Sequence, residues 1–585
     1  MYFPHSRANA SEMWEDPVWI RLVQYRKSLL GKYESPAESA KFFLSPEGRT
    51  RPDLEFVATV KDLQDNTKKI KSRDGRFEDL VACVFPARKI WLEKKLGTKF
   101  PSPNCERFER FKEILAPQSL TYVFSSYYLN NPASAFGHTF LRINKAPSSK
   151  DGERYELSDY GVGYAAEKVS ENPLVYSFLG VSGLMPGTFD INPYYYKVRE
   201  YNDFESRDLW EYDLNFNPEE VTMVIAYIWE LLDVGFNYHY FSENCSYRIL
   251  SLFEVARPSL DLTAHLKSQV MPADTVQTLF EQAGLITNIH FRPSVRATFE
   301  NRYRGLDSES KKSLRQFARD ESVDQIILSA DTGSQRSRLD AAMDYIDFRY
   351  PKEIMRKEGK YFFKKQVLAK RASLGGASDT LNVPAPFSEA PHDAQGSRRL
   401  GIGYREVNGE QFYRLDAKLA LHDLLDPKLG YPPTAQITMG EFAITWNAKN
   451  REVALDRVNL YEVISLSPVD DFIQGTSWRL KFANERGVEN NCVGLCRWTE
   501  LSGGSGVTKT FFGDLDLTLW GRVATLTSSD FKEDTWRAGV GPGASIRWNR
   551  DRFALWAETF YRYDYKGAAS EFRRHSLGIN WSFGK

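Results

Sequence analysis

The sequence predicts a multidomain α+β protein with a helical N-terminal domain, an α+β domain, a helical connector and a C-terminal antiparallel β-barrel. Three observations support this class. The chain has 585 residues, which is enough for three or four domains. The spacing of apolar residues changes from helical to mixed, back to helical, and finally to a period of two. Aromatic residues make up 14% of the chain, and such residues favour strands and membrane interfaces.

Charge and hydropathy exclude two other classes. Lys+Arg and Asp+Glu balance at 77 each, so nothing in the net charge favours a nucleic-acid partner. No run of about 18 apolar residues is present, which excludes a transmembrane helix. Near the start, Ala8-Asn9-Ala10 before Ser11 is typical of a signal-peptidase site. We therefore expect an exported protein.

The N-terminal region, residues 11–117, has helical periodicity. Asp16 followed by Pro17 is a helix-start signal, because proline fits the first helical position. Residues 77–96 form a second stretch with helical spacing. These patterns predict a helical domain.

The next region, residues 118–290, mixes strand and helix signals. LTYVFSSYYL, HTFLRI and YELSDYGVGY are rich in strand-forming residues. Pro218 opens a helix, and a further apolar helix begins around Cys245. We predict an α+β domain here, followed by a charged helical connector (291–372) and a linker rich in Gly, Pro and Ser (373–398).

Residues 399–585 alternate with a period of two. Leu517 and Leu519 fall on one face of a strand, whereas Asp516 and Thr518 fall on the other. About ten such segments follow one another with short turns, which predicts an up-and-down antiparallel β-barrel. Apolar-out, polar-in strands with many aromatics fit an outer-membrane barrel. A soluble barrel or sandwich with one wet face would alternate in the same way.

The five cysteines suggest two disulfides and one free thiol. Cys83 and Cys105 form one local pair, Cys492 and Cys496 form another, and Cys245 stands alone, as expected of an exported protein. Zinc is not expected, because the CxxxC spacing has no histidine or second cysteine pair nearby. No nucleotide or metal motif is present, so we predict no cofactor and no metal.

Cys245 and His138 are the candidate catalytic pair. A cysteine attacks as a thiolate, which a helix N-terminus or a nearby imidazolium favours. Cys245 follows Asn244, a good N-cap residue, at the start of a helix. His138 follows Gly137 at the start of a strand, and the glycine leaves space for a second chain or substrate. His239, in a loop, ranks second.

Other residues are assigned supporting roles. Asp159, on the strand expected beside HTFLRI, is the candidate to orient the His138 imidazole. The backbone N–H of Cys245, with Asn244 or Ser126 as helpers, would bind an oxyanion. The alternative is a small buried cysteine and an ordinary hydrogen-bonded histidine, with no catalysis.

NPASAFGHTFLR and FSENCSYRIL resemble the DUF4105 family, also called the Lnb N-terminal periplasmic domain, over about residues 118–290. The flanking helical and β regions also resemble parts of its Gram-negative members. The resemblance implies a circularly permuted NlpC/P60, papain-like thiol fold. NCSYR is also similar to the NCEHF segment of the lecithin:retinol acyltransferase group. The resemblance further implies that Cys245 is the nucleophile and His138 the general base.

These features predict a thiol acyltransferase or lipid hydrolase in the periplasm or outer membrane of a Gram-negative bacterium. Its substrate would be the acyl ester of a membrane lipid or lipoprotein. A peptidoglycan-directed cysteine peptidase or amidase, and a non-enzymatic outer-membrane pore or scaffold, remain alternatives. The aromatics near both motifs suit an acyl chain but are equally suited to a protein core: Tyr127, Tyr128, Phe136, Phe140 and Phe241.

Overall fold

The computed structural model describes most of the chain. The described residues are 13–28, 30–71, 77–127, 137–146, 155–167, 179, 183–232, 234–240, 242–266, 270–328, 331–387, 390–427, 429–432, 434–490, 492, 494–532, 535–550, 552–566 and 571–582. The chain forms two compact units, residues 1–297 and residues 298–585. The proposed signal-peptidase site lies outside the described residues, as do Tyr128, Phe136 and Phe241.

The first unit combines helices with an antiparallel sheet. Its helices are α1 (Pro17–Leu22), α2 (Pro52–Gln64), α3 (Val81–Val84), α4 (Pro86–Leu96), α5 (Glu106–Leu115), α6 (Tyr194–Lys197), α7 (Pro218–Leu231), α8 (Cys245–Ala256) and α9 (Pro272–Glu281). Its strands are β1 (Arg26–Lys27), β2 (Tyr33–Glu34), β3 (Lys69–Lys71), β4 (Glu78–Leu80), β5 (Pro117–Ser125), β6 (His138–Lys145), β7 (Tyr160–Ala166), β8 (Met185–Pro193), β9 (Leu209–Leu214), β10 (Phe236–Tyr238) and β11 (Ile286–Arg292).

Local sequence explains where the early helices begin and end. Asp16 caps α1 by accepting a hydrogen bond from the N–H of Val18 at 2.8 Å. The helical stretch expected over 77–96 is interrupted, because Pro86 lacks the N–H that would continue α3 into α4. A disulfide joins Cys83 to Cys105, as the sequence predicts.

The central sheet of the first unit has seven strands in the order β10-β8-β7-β6-β5-β9-β11. All of its pairings are antiparallel. The predicted pairing of HTFLRI with YGVGY is present as β6 against β7. Ser125 at the end of β5 lies directly opposite His138 at the start of β6. This register places the candidate histidine at one end of the central strands.

The second unit begins with helices and ends with a sheet. Its helices are α10 (Val295–Gly305, which starts just before the boundary), α11 (Ser308–Asp320), α12 (Val323–Ile327), α13 (Thr332–Arg349), α14 (Pro351–Arg356) and α15 (Lys360–Ser373). Their core includes Phe299, Phe317 and Tyr345, together with Phe472 from the loop between two strands of the sheet. The rings of Phe299 and Phe472 lie 5.0 Å apart.

The sheet of the second unit is a curled half-barrel of ten strands. The strands are β12 (Arg399–Val407), β13 (Glu410–His422), β14 (Ala435–Asn447), β15 (Val453–Ser465), β16 (Ser477–Gly487), β17 (Cys496–Phe511), β18 (Leu515–Thr527), β19 (Trp536–Arg550), β20 (Phe553–Lys566) and β21 (Glu571–Trp581). Each pairs antiparallel with the next in sequence, so the predicted up-and-down order is confirmed. Among the described residues β12 and β21 do not pair, so the sheet is a half-barrel and not the closed barrel predicted.

The exposed face of this sheet is apolar and the buried face is polar, which is the reverse of an ordinary sheet in a soluble protein. In β18, Asp516 and Thr518 are each 1% exposed, whereas Leu517 and Leu519 are 39% and 63% exposed. The polar face predicted from the alternation is therefore the buried one. A second disulfide joins Cys492 to Cys496, the first residue of β17, again as the sequence predicts.

Candidate functional site

Cys245 is the first residue of α8 and is the one cysteine outside the two disulfides. Asn244 caps this helix with its side-chain oxygen. That oxygen accepts hydrogen bonds from the N–H of Ser246 at 3.1 Å and of Tyr247 at 3.4 Å. Because the first turn of a helix carries partial positive charge, it attracts anions. The fold therefore places the buried thiol where a helix favours negative charge.

The start of α8 packs on the start of β6. The Cys245 sulfur lies 3.8 Å from the Ser246 hydroxyl. The Thr139 hydroxyl donates a hydrogen bond to that Ser246 hydroxyl at 3.0 Å, and Thr139 directly follows His138. Burial raises the pKa of Tyr122, on β5, and an electrostatic interaction with the nearby Cys245 adds to the shift. The two segments that carry the candidate pair therefore meet one residue away from each member.

Gly137 has a backbone role at this point. Its φ angle is +84°, a region that residues with a side chain rarely adopt. A Cβ atom there would lie 2.8 Å from the ring of Phe124. The glycine thus lets the chain enter β6 against Phe124. The space expected for a substrate or second chain is occupied by this ring.

The half-buried imidazole of His138 lies among aromatic rings and cations. Its ring centroid is 5.4 Å from that of Tyr201 and 6.5 Å from that of Phe140. Burial lowers the pKa of His138 well below its ordinary value, and the charges of Lys197 and Arg207 lower it further. His138 is therefore neutral at pH 7, the state in which it can accept a proton.

Tyr201 connects the surroundings of His138 and Cys245. Burial raises its pKa, and negative charge on Glu200 and on Cys245 adds to this shift. His138 and Thr139 are successive strand residues, so their side chains point to opposite faces of the sheet. Within the described part of the chain, no hydrogen bond joins His138 to Cys245. Proton transfer between them would require the imidazole or the thiol to move.

Asp159 occupies a different place from the one expected for an orienting carboxylate. Its Oδ1 accepts a hydrogen bond from the N–H of Lys145 at 2.9 Å, and its Oδ2 lies 3.6 Å from Nε of Arg142. Lys145 and His138 are the two ends of β6, about 23 Å apart at the usual rise per residue. This geometry makes Asp159 an ion-pair residue rather than a partner of His138.

The Asn244 amide and the backbone of Ser126, the two proposed oxyanion helpers, already make hydrogen bonds. The Asn244 amide nitrogen donates to the carbonyl oxygens of Val270 at 2.6 Å and Tyr240 at 3.0 Å, which uses both of its protons. Ser126 donates its backbone N–H to Asp208, and its carbonyl accepts from Arg207. Asn244 therefore acts as a cap. The backbone N–H of Cys245 remains the candidate oxyanion donor.

His239, the second-ranked histidine, has a separate environment. A Cβ atom on Gly183 would lie 1.9 Å from its ring, so the imidazole packs directly over that glycine. Burial and the charges of Arg26 and Arg248 lower the pKa of His239. In contrast to His138, its neighbours in the sequence make no bond to Ser246 that the structure describes.

Three residues at the site could not be found from the sequence motifs. Tyr201 and Arg207 come from the segment between β8 and β9, and the Arg207 guanidinium lies 5.2 Å from the Tyr201 ring. Ser125 is fully buried opposite His138, and its hydroxyl has no hydrogen-bond partner in the described structure. None belongs to a motif, and only the sheet register could have revealed Ser125.

These features describe a two-unit protein with a free thiol in one unit and a β half-barrel in the other. It has an α+β unit with a lone thiol at a capped helix start, a separate half-barrel, and two disulfides that indicate an oxidising compartment. Among the described residues, no helix is long and apolar enough to cross a membrane. The same residues contain no group of three His, Cys, Asp or Glu side chains able to hold a metal.

Comparison with known families identifies the central segment. Residues 107–282 match the family described as the Lnb N-terminal periplasmic domain, which confirms the resemblance inferred from the two motifs. The family indicates a periplasmic location. Residues 11–95 and 388–585 match two families of unknown function, DUF7843 and DUF7840. No curated protein and no solved structure matches the chain.

Proposed function

We propose that the protein is a cell-envelope thiol acyltransferase or lipid hydrolase acting through Cys245 and His138. The observation that carries this proposal is the placement of Cys245. Four of the five cysteines form disulfides, and the fifth is kept free at the capped N-terminus of α8. A cysteine with only a structural role needs neither a capped helix N-terminus nor contact with β6, the strand that begins with His138.

The reaction begins with proton transfer. Once the imidazole or the thiol has moved into contact, neutral His138 takes the proton from the Cys245 thiol, and the thiolate attacks the ester carbonyl of the acyl donor. The N–H of Cys245 stabilises the oxyanion. As the C–O bond breaks, His138 returns the proton to the departing alcohol. An amine or water, deprotonated by His138, then attacks the thioester and releases Cys245.

We further propose that the half-barrel closes and sits in the outer membrane. Its exposed face carries apolar side chains, such as Leu519, at 63% exposure, and its buried face carries charged ones. This apolar-out, polar-in arrangement is that of outer-membrane barrels. Even numbers of strands are usual there, and ten satisfy this. Tethering raises the effective concentration of a substrate in the same membrane.

Intact-protein mass spectrometry tests the catalytic proposal. The wild type, Cys245→Ala, His138→Gln and the matched control His239→Gln are each incubated with phospholipid vesicles or a diacylated lipopeptide. We expect a fatty-acyl adduct, removed by hydroxylamine, on the wild type and on His239→Gln only. A wild type that reacts with iodoacetamide at Cys245 but takes no acyl group would instead favour a peptidase or amidase. An unreactive Cys245 would favour a non-enzymatic scaffold.

A further inference from the structure

The buried face of the half-barrel is lined with charges that pair across strands far apart in the sheet order. Glu558 on β20 accepts hydrogen bonds from Arg479 on β16 and, at 2.8 Å, from Arg522 on β18. Neighbouring strands lie about 4.8 Å apart, so β16 and β20 would be about 19 Å apart in a flat sheet. This three-residue contact therefore requires the sheet to curl until its inner side chains meet.

The same closeness recurs nearer one end of these strands. Glu485 on β16 lies 3.9 Å from Arg574 on β21. Arg405 on β12 donates to the carbonyl oxygen of Arg486 on β16 at 3.4 Å. One strand in the middle of the order thus contacts both outermost strands through its inner face.

The loop between β13 and β14 occupies the other end. The Asn549 amide on β19 donates to the carbonyl of Asp426 at 3.1 Å, and the Asn580 amide on β21 donates to that of Leu425 at 2.7 Å. The Leu425 side chain also packs where Gly578 lacks a Cβ atom, 2.7 Å from the position that atom would take. The loop therefore connects the β13–β14 side of the curled sheet to β19 and β21.

From these contacts we infer that β12–β21 form a filled, non-conducting anchor rather than a pore. The inference rests on the proposed membrane location of this sheet. Barrels of about eight strands have interiors just wide enough for side chains to fill, whereas those of 16–18 strands leave an aqueous channel. Here ten strands enclose paired Arg and Glu side chains and a loop. Arg479 also lies 3.6 Å from Glu462, so the two arginines that contact Glu558 face two carboxylates, and no continuous water path is needed to solvate them.

Electrical recording of the full chain tests this inference. The protein is reconstituted into vesicles of phosphatidylethanolamine and phosphatidylglycerol, its insertion is measured by flotation, and the vesicles are fused to a planar bilayer. We expect inserted protein and no steady conductance above the bare membrane. Inserted protein with stable single-channel currents would overturn the filled interior while leaving the anchor intact. Protein that fails to float would overturn the membrane location, and this inference with it.

Two variants test whether the interior charges block ion flow through the half-barrel. Glu558→Ala removes the carboxylate that Arg522 contacts and leaves Arg479 with Glu462 alone, 3.6 Å away. We expect it to raise the ion current several-fold above the wild-type background. The matched control Val523→Ala truncates an outward-facing side chain that is 56% exposed, and it should show no ion current above the wild-type background. Equal currents from both variants would overturn the role given to the Glu558 cluster. If Glu558→Ala does not insert, the wild-type recording remains decisive.

Discussion

The two units treat buried charge in opposite ways. In the first unit, charges are exceptions inside an apolar core: Arg88, fully buried, bonds to Glu55 at 2.9 Å and lies 3.4 Å from Glu230. In the half-barrel, charges line one whole face and apolar side chains cover the other. The first arrangement is typical of a protein with an apolar core in water. The second is typical of a barrel with a polar interior and an apolar outer surface in lipid.

This contrast teaches that burial alone does not identify a core. Leu519 in the half-barrel and Val57 on α2 are each 63% exposed, yet they have different surroundings. Val57 is the one exposed apolar residue of α2, where the other exposed residues are Lys61 and Gln64, and a single exposed apolar residue is normal for soluble proteins. Leu519 belongs to a face on which neighbouring strands also expose apolar residues, including Leu501 on β17 and Ile546 on β19. Four predictions test the contrast, from the largest effect to the smallest.

Arg88→Ala should cause the largest loss of stability, and this loss should fall on the first unit. The substitution removes the positive charge between two fully buried carboxylates, Glu55 and Glu230. Breaking a buried ion pair from one side costs about 3–5 kcal/mol of unfolding free energy. Denaturant unfolding at pH 7 measures this. The control Arg51→Ala breaks an exposed pair with Asp53 and should cost far less, because water screens that pair. Equal losses would remove the special status of the Arg88 cluster.

Leu519→Arg should show whether the outer face of the half-barrel contacts lipid or water. An arginine on the lipid face of a barrel costs about 2–4 kcal/mol near the bilayer centre. Val57→Arg, at a site of equal exposure, should change stability by about 0.5 kcal/mol or less, because it stays in water. Unfolding of each variant is measured in vesicles. If Leu519→Arg is as harmless as Val57→Arg, the outer face of the half-barrel is not in lipid.

The sequence predicted local features well, and it failed where the answer depended on long-range register. A period of two revealed the strands of the half-barrel, but alternation alone cannot say which face is buried. The Asn244 cap and both disulfides could be predicted because they depend on residues close in sequence. Asp159 was misplaced because the offset between β6 and β7 decides which end of β6 it meets. Tyr201 contacts His138 across about sixty residues of chain, and no local pattern signals that contact.

Removing each disulfide should affect the two units unequally. Cys83 and Cys105 are 22 residues apart, whereas Cys492 and Cys496 are 4 apart. Because a longer loop loses more chain entropy when closed, the first bridge should contribute about 3 kcal/mol and the second about 2 kcal/mol. Thermal unfolding of Cys83→Ser/Cys105→Ser and Cys492→Ser/Cys496→Ser measures both. A larger loss from the short loop would mean that the second bridge stabilises the native half-barrel directly.

The smallest expected effect concerns the charges around His138. Lys197 forms an ion pair with Asp190 at 2.9 Å, yet its charge still lowers the pKa of the neighbouring His138 imidazole. Because burial and that charge lower the pKa of His138, the ring should stay neutral below pH 6.5, its ordinary value. The acid limb of the acyl-transfer rate should then lie below that pH. Lys197→Met removes the repulsion, so the pKa of His138 should rise and the acid limb should move to higher pH.

A matched variant distinguishes this electrostatic effect from a general loss of structure. Lys145→Met removes a cation at the opposite end of β6, where the amine lies 4.8 Å from the Tyr160 ring. About 20 Å of strand separates it from His138, so its charge is largely screened there. We expect the pH profile of Lys145→Met to coincide with that of the wild type. A profile that moves equally in both variants would show that the acid limb belongs to another group, and His138 would lose its place as the base.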